Sequence, residues 1–382
     1  MKKPLDSKKI TFFLYWFQGG GIPHVMTNLA AEFRNRGFSV DFVIGKAQGK
    51  YMGSLTSGIN IVELNSPRAI LCIPGLIAYL KHYQPDIFIT ANTHLNLVGL
   101  FSHHSARIPG KIVVTEHAAY EQADDNRRRK NPLMAFIISK LISKFYLWAD
   151  HIVCVSQSVK NSLIHRFNFD HNQISTIWNP VLTDNYWYLL DQPVSHPWFA
   201  DRQYPVMLSV GRLTRQKNFP LLLRALSEVN QHQSVRLIIL GEGEDRVALE
   251  SLRDELRLTS KVQFMGFVDN PFPYFREADL FVLTSLWEGL PTVLIEALAA
   301  GAPVIATDCP GGTREIIEAT GAGRLVPVDD LEELTRAIRE ELSPEAGTSR
   351  SRPDVTPFLA DVAADSYLSL FNRLVPREAE HD

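Results

Sequence analysis

Short apolar runs that alternate with amphipathic segments, in two separate series, constrain this chain more than any other feature. The first series is ITFFLYWF from Ile10, VDFVIG from Val40, DIFIT from Asp86, KIVVTEH from Lys111 and HIVCVS from His151. Segments such as VMTNLAAEFRNRG lie between these runs, with Val25, Leu29, Ala30 and Phe33 at helical spacing and a stop at Gly37. Apolar runs this short are strands buried on both faces, and strands alternating with helices predict a parallel sheet covered on both sides. A second series comes later: VMLSVG from Val206, RLIILG from Arg236, VQFMGF from Val262, DLFVLTS from Asp279 and PVIATD from Pro303. Between the two, the segment from Trp178 to Pro205 has no clean period and holds Pro180, Pro193, Pro197 and Pro205.

The expected architecture is therefore two doubly wound α/β domains. Residues 1–180 form the first, 181–204 the junction, and 205–355 the second, while 356–382 supply an amphipathic helix that packs back across the junction. A length of 382 residues fits two cores better than one. The stretch SPEAGTSRSRPD ahead of the last helix reads as a loop. In such folds ligands bind beyond the carboxyl ends of the strands, so the loops after them and a cleft between the domains are where chemistry is expected.

Composition excludes several classes. A formal charge of -3 gives no global attraction to nucleic acid. Cys72, Cys154 and Cys309 lie far apart, which suits reduced thiols in a cytoplasmic protein. Lysines precede the first apolar run as in a signal peptide, but that run is short, aromatic and followed by QGGG, so it reads as a strand. GKAQGK from Gly45 is one residue short of a phosphate loop, and neither QGGGIPHV nor GEGEDR is a dinucleotide fingerprint. The sequence has no H-E-x-x-H and no D-x-D pair, so no metal and no cofactor is expected.

Candidate chemistry gathers on four loops. Three glycines precede a helix after the first strand, where a backbone can approach a phosphate closely; a plain strand-to-helix turn explains them equally well. GRLTRQKN comes after the VMLSVG strand and places Arg212 and Lys217 where two cations suit a diphosphate, or form a solvated basic loop. LTSLWEGLPTVLIEALAAG puts Glu288 on a loop and Glu296 inside the next helix, too far apart for a surface ion pair. Acids in so apolar a unit need partners, either ligand hydroxyls or protein groups. His117 ends the KIVVTEH strand.

In their order and spacing, GRLTRQKN, the GEG from Gly241, FMGFV from Phe264, EGLPTVLIE and GAPVIATDCPGGTREII resemble the retaining glycosyltransferases of family four over nearly the whole chain. EGLPTVLIE matches that family's E-x7-E motif. The resemblance implies the GT-B fold, two Rossmann-like domains facing a cleft. It also implies transfer of a hexose from a nucleotide sugar, a UDP-sugar by expectation, to a saccharide or polyprenyl-linked saccharide acceptor in surface polysaccharide or lipopolysaccharide assembly.

By that resemblance Arg212 and Lys217 grip the diphosphate, Glu288 with Gly289, Leu290 and Pro291 contacts the donor sugar, and Glu296 holds the ribose. Gly20 and Gly21 face the diphosphate, Gly241 and Gly243 belong to the donor loops, Phe267 and Val268 lie near the base, and His117 contacts the sugar. Relatives often carry an acid after the paired glycines where this chain has Pro23 and His24, so contacts attributed to that acid do not carry over. Two alternatives stay open: a non-catalytic nucleotide-sugar or glycan-binding partner of the same fold, and a nucleotide-sugar epimerase or hydrolase. Finally, NRRRKNPLMAFIISKLISKFYLW over 126–148 reads either as a core helix with a solvated face or as a peripheral contact with the cytoplasmic face of the inner membrane.

Overall fold

A computed structural model describes residues 8–16, 20–47, 58–343 and 352–375. Most of the loop read from SPEAGTSRSRPD (344–351), Gly19 of the QGGG turn, and the end of GKAQGK therefore lie outside the described residues. The chain divides into two compact units. Residues 1–181 and 358–382 form one, and 182–357 the other.

The first unit is built on a seven-stranded parallel sheet: β1 (Lys9–Leu14), β2 (Ser39–Ile44), β3 (Asn60–Glu63), β4 (Ile87–Ala91), β5 (Lys111–Glu116), β6 (His151–Cys154) and β7 (Ile174–Thr176). Their order is β3-β2-β1-β4-β5-β6-β7. The central strands are buried almost throughout, as parallel strands covered on both faces must be. The second unit holds β8 (Val206–Val210), β9 (Arg236–Leu240), β10 (Val262–Gly266), β11 (Leu280–Leu283), β12 (Val304–Thr307) and β13 (Arg324–Val326), in the order β10-β9-β8-β11-β12-β13. Strand order reverses beside β1 in one sheet and beside β8 in the other. At such a switch point, successive connections leave on opposite faces and open a crevice past the strand ends.

Residues 182–204, expected to lack periodicity, carry two short helices, Asp184–Leu190 and Pro197–Asp201, and belong to the second unit. The proline that opens the latter occupies its first turn, where the missing N–H costs nothing. The C-terminal helix Ala360–Leu374 lies on helix Gly21–Asn35 of the first unit, with the Phe33 ring 6.4 Å from Tyr367 and 5.6 Å from Phe371. Just before it, Phe358 stacks on Trp178 at 4.9 Å and its carbonyl accepts the Val181 N–H at 3.2 Å. All three cysteines are buried and free.

Candidate active site

Two loops at the β8 and β11 ends of the second unit are stitched into one surface. The Thr284 hydroxyl donates to the Lys217 carbonyl at 2.9 Å, the Leu286 N–H to the Gln216 carbonyl at 2.8 Å, and the Gln216 amide to the Trp287 carbonyl at 2.8 Å. Gly211 leaves room for the lysine stem, since a Cβ there would sit 3.2 Å from Lys217 Cε. The result is a direct ion pair: Lys217 Nζ lies 2.5 Å from Glu288 Oε1, with side chains only 16% and 8% exposed. Ser285 donates its hydroxyl to the same oxygen at 2.6 Å.

The backbone around Glu288 is fixed from the other side. Its N–H donates to the Pro310 carbonyl at 2.9 Å, and Gly312 donates to the Gly289 carbonyl at 2.7 Å. Gly311, at φ +128°, permits this approach: a Cβ there would fall 2.2 Å from the Glu288 carbonyl oxygen. Gly289, Leu290 and Pro291 are buried, and Pro291 precedes the helix Thr292–Ala299 as its cap instead of opening it. Gly301, at φ +77°, ends that helix, where Ala302 donates back to the Ala297 carbonyl at 3.1 Å.

Glu296 is in a different situation from Glu288. It is 4% exposed, and its carboxyl group has no hydrogen bond or ion pair with any described residue. Burial alone pushes its pKa up to about 8. The nearby Tyr186 hydroxyl donates at 2.7 Å to the Glu296 backbone carbonyl, not to its carboxyl group. A carboxyl group this little exposed and without a protein partner is costly in the free protein.

The other expected donor residues divide by role. Arg212 is exposed on the loop after β8, and its guanidinium makes no ion pair among the described residues. Gly241 and Gly243 are needed for packing. A Cβ on Gly241, at φ +138°, would fall 2.0 Å from the Gly211 carbonyl oxygen, and one on Gly243 2.2 Å from that of Leu213. They bring the β9 loop against the Arg212 loop. Phe267 is 43% exposed after β10, with Val268 half-buried beside it.

In the first unit, Gly20 adopts φ +136° and Gly21 opens a helix whose N-terminus has no side-chain cap. His117 comes directly after β5, with Nε2 2.9 Å from the Thr115 hydroxyl, and removal from water lowers its pKa to about 3. Beneath it the buried Glu116 accepts hydrogen bonds from Tyr146, from Asn96 at 2.9 Å and from Thr93 at 3.1 Å. The structure thus joins Lys217 to Glu288 directly and places Gly20, Gly21 and His117 in the other unit. Ser285, Gln216 and Tyr186 escaped the sequence reading. The Thr-Ser doublet at the end of β11 was the one available signal for Ser285.

Residues 195–353 match the family model of Glycosyl transferases group 1, and residues 19–185 match that of Glycosyltransferase Family 4. Over 213 residues the chain is 32% identical to the N-acetylgalactosamine-N,N'-diacetylbacillosaminyl-diphospho-undecaprenol 4-alpha-N-acetylgalactosaminyltransferase of Campylobacter jejuni, covering 56% of each protein. It therefore spans little more than half of that relative's length. Over 303 residues it is 27% identical to the amylovoran biosynthesis glycosyltransferase AmsD of Erwinia amylovora, covering 79% of this chain and 81% of AmsD. The crystal structure of Anabaena HepE in complex with UDP-glucose shares its fold with a TM-score of 0.72 at 19% identity, over 96% of this chain and 98% of that one. With a glycosyltransferase model matched along each unit and two Rossmann-like sheets beneath them, the chain carries the GT-B fold and the two domains of a glycosyltransferase.

Proposed function

We propose that the protein transfers a hexose from a nucleotide sugar, a UDP-sugar in the first instance, to a saccharide or lipid-linked saccharide acceptor with retention at the anomeric carbon. The observation that carries this reading is Glu296, a buried carboxyl group without a protein partner at the switch-point crevice of the second sheet. The two ribose hydroxyls of a nucleotide satisfy it. The Lys217–Glu288 pair is the second element: the ammonium is held rigidly where a diphosphate arrives, and the carboxylate where the donor sugar lies.

Arg212 supplies a second cation from the same loop, so the leaving diphosphate is neutralised without a metal. In a front-face reaction the departing phosphate oxygen takes the acceptor proton, and no side-chain base is required. The protein's contribution is then positioning and charge stabilisation. The relatives named above act in amylovoran biosynthesis and on an undecaprenol-linked diphosphosaccharide, which supports a role in polysaccharide or lipopolysaccharide assembly.

Contact with a membrane belongs to the same proposal. Residues 126–149 hold six lysines and arginines and no acid. On helix Pro132–Phe145 the side chains Leu133, Met134, Phe136 and Ile137 are exposed, flanked by exposed Arg129, Lys140 and Lys144. No helix among the described residues is long and apolar enough to cross a membrane, so this helix would lie in the plane of an anionic surface.

A thermal-shift panel of UDP-, GDP- and ADP-sugars tests the donor assignment. A UDP-sugar should raise the melting temperature in a concentration-dependent way, and transfer should need an acceptor. If no nucleotide sugar stabilises the protein, the reading fails. Donor breakdown or isomerisation without acceptor would replace it with the hydrolase or epimerase alternative.

A further inference from the structure

The carboxyl end of β5 reads Thr115-Glu116-His117, and the alternation of a strand brings the first and third of these residues to one face. Glu116 is occupied by its own buried hydrogen bonds from Tyr146, Asn96 and Thr93. Thr115 is fully buried, and its backbone is held in place: its carbonyl accepts from the Asn92 N–H at 3.1 Å and from the Asn96 side-chain amide at 2.9 Å. Its hydroxyl has two neighbours. One is the carbonyl oxygen of Thr90, on the adjacent strand β4, at 3.0 Å; the other is His117 Nε2 at 2.9 Å.

A hydroxyl has one proton to give. The Thr90 carbonyl can only accept, so the proton goes there, and the hydroxyl oxygen is left to accept from the ring. Turning the proton towards His117 would set two acceptor oxygens against each other at 3.0 Å in a site shut off from water, which leaves a buried acceptor unsatisfied. Nε2 therefore carries the ring proton. Loss of solvent holds the His117 pKa at about 3, so the ring is neutral and Nδ1 is bare. Nδ1 makes no hydrogen bond with a described residue. His117 is half-buried past the carboxyl end of β5, where ligands of such sheets bind, and what it offers there is an acceptor nitrogen. That suits a hydroxyl group and repels a phosphate or carboxylate oxygen.

We propose that Thr115 is a positioning residue, which holds His117 in the Nε2–H tautomer so that Nδ1 accepts a hydrogen bond from a saccharide hydroxyl. The family resemblance already puts a sugar at His117; the bonds around Thr115 decide which nitrogen meets it and that this nitrogen accepts. The tautomer stands on the hydrogen bonds alone, whereas the saccharide rests on the glycosyltransferase reading.

The test uses the full chain with isotope-labelled histidine. The ring nitrogens of His117, identified by their loss in His117→Gln, are followed by NMR, which separates a protonated nitrogen from a bare one. In the ligand-free protein the proton should sit on Nε2. Thr115→Val leaves that N–H facing a methyl group, so the proton should move to Nδ1, while Thr115→Ser keeps the hydroxyl and should keep the wild-type tautomer. A wild-type ring protonated on Nδ1, or one tautomer shared by wild type and the Val variant, overturns the proposal; if the Val variant does not fold, the wild-type spectrum decides. The Nδ1 signal should also shift when UDP-glucose replaces UDP, which assigns the hydroxyl to the donor sugar, or when glucose is added at saturating UDP, which assigns it to an acceptor. For the ligand that responds, Thr115→Val should weaken binding about tenfold with UDP binding unchanged, and Thr115→Ser should stay within a few-fold of wild type. A silent Nδ1 in both titrations overturns the assignment to a saccharide hydroxyl. Failure of UDP and UDP-glucose to bind at all would instead remove the glycosyltransferase reading and leave the tautomer standing.

Discussion

Glu296→Gln should stabilise the ligand-free protein while weakening its grip on the donor, and the gain should depend on pH. The carboxyl group titrates near 8 when folded, against an ordinary value of 4.5. Between those values the folded protein holds a proton that the unfolded chain has released, so stability falls as pH rises from 4.5 towards 8 and levels off above it. Worked through the two pKa values, ionisation favours the unfolded state by about 1 kcal/mol at pH 5 and about 4 kcal/mol at pH 8. Glutamine has the shape of the neutral acid and carries none of this penalty. With a urea slope of about 2 kcal/mol/M, the midpoint of the variant should exceed that of wild type by about 0.5 M at pH 5 and about 2 M at pH 8. UDP-glucose titration of the same samples should show weaker binding by the variant. A midpoint gap that is the same at both pH values would refute the buried, unpartnered carboxyl and with it the argument that a ligand completes it.

Three further substitutions probe the frame around that site. Lys217→Ala leaves Glu288 buried and unpaired, so the second unit should lose about 3 kcal/mol and transfer should slow mainly through turnover; adding Glu288→Gln should recover part of the stability and none of the activity. Gly241→Ala puts a methyl group 2.0 Å from the Gly211 carbonyl oxygen at a left-handed φ, so donor affinity by calorimetry and the melting temperature should both fall. Tyr186→Phe removes the hydrogen bond to the Glu296 carbonyl and should cost about 1 kcal/mol in urea denaturation while leaving the fold unchanged. For the membrane surface, Phe136→Ser with Ile137→Ser should reduce sedimentation with phosphatidylglycerol vesicles; undiminished binding would clear this helix of the role.

Of the thirteen strands among the described residues ten announce themselves as apolar runs, nine because they are largely buried and β10, an edge strand with Gln263 exposed, through the composition of VQFMGF. β3, β7 and β13 do not. They are short edge strands, partly exposed, and their sequences NIVE, IST and RLV have too little apolar content to stand out from a loop. The two helices within 182–204 were hidden for a related reason. At seven and five residues they are too short to show a period, and prolines before the second read as breaks.

For the candidate site, the sequence by itself determined which residues stand on the loops past the strands' carboxyl ends, because residue order fixes the loop attached to each strand. It also determined that Glu288 sits on a loop and Glu296 on a helix. Only the tertiary structure decided which acid is paired. Glu288 receives Lys217 across 71 positions of sequence because β8 and β11 are neighbours in the sheet, whereas the buried Glu296 carboxyl makes no hydrogen bond or ion pair with a described residue. Arg127 shows the same limit from the other side. Three consecutive arginines look alike in a sequence, yet one is half-buried over Tyr120, the next is paired with Asp124 and the third is exposed. Partners of a charge are set by strand order and helix packing, which are long-range properties, and the local pattern of residues carries no record of them.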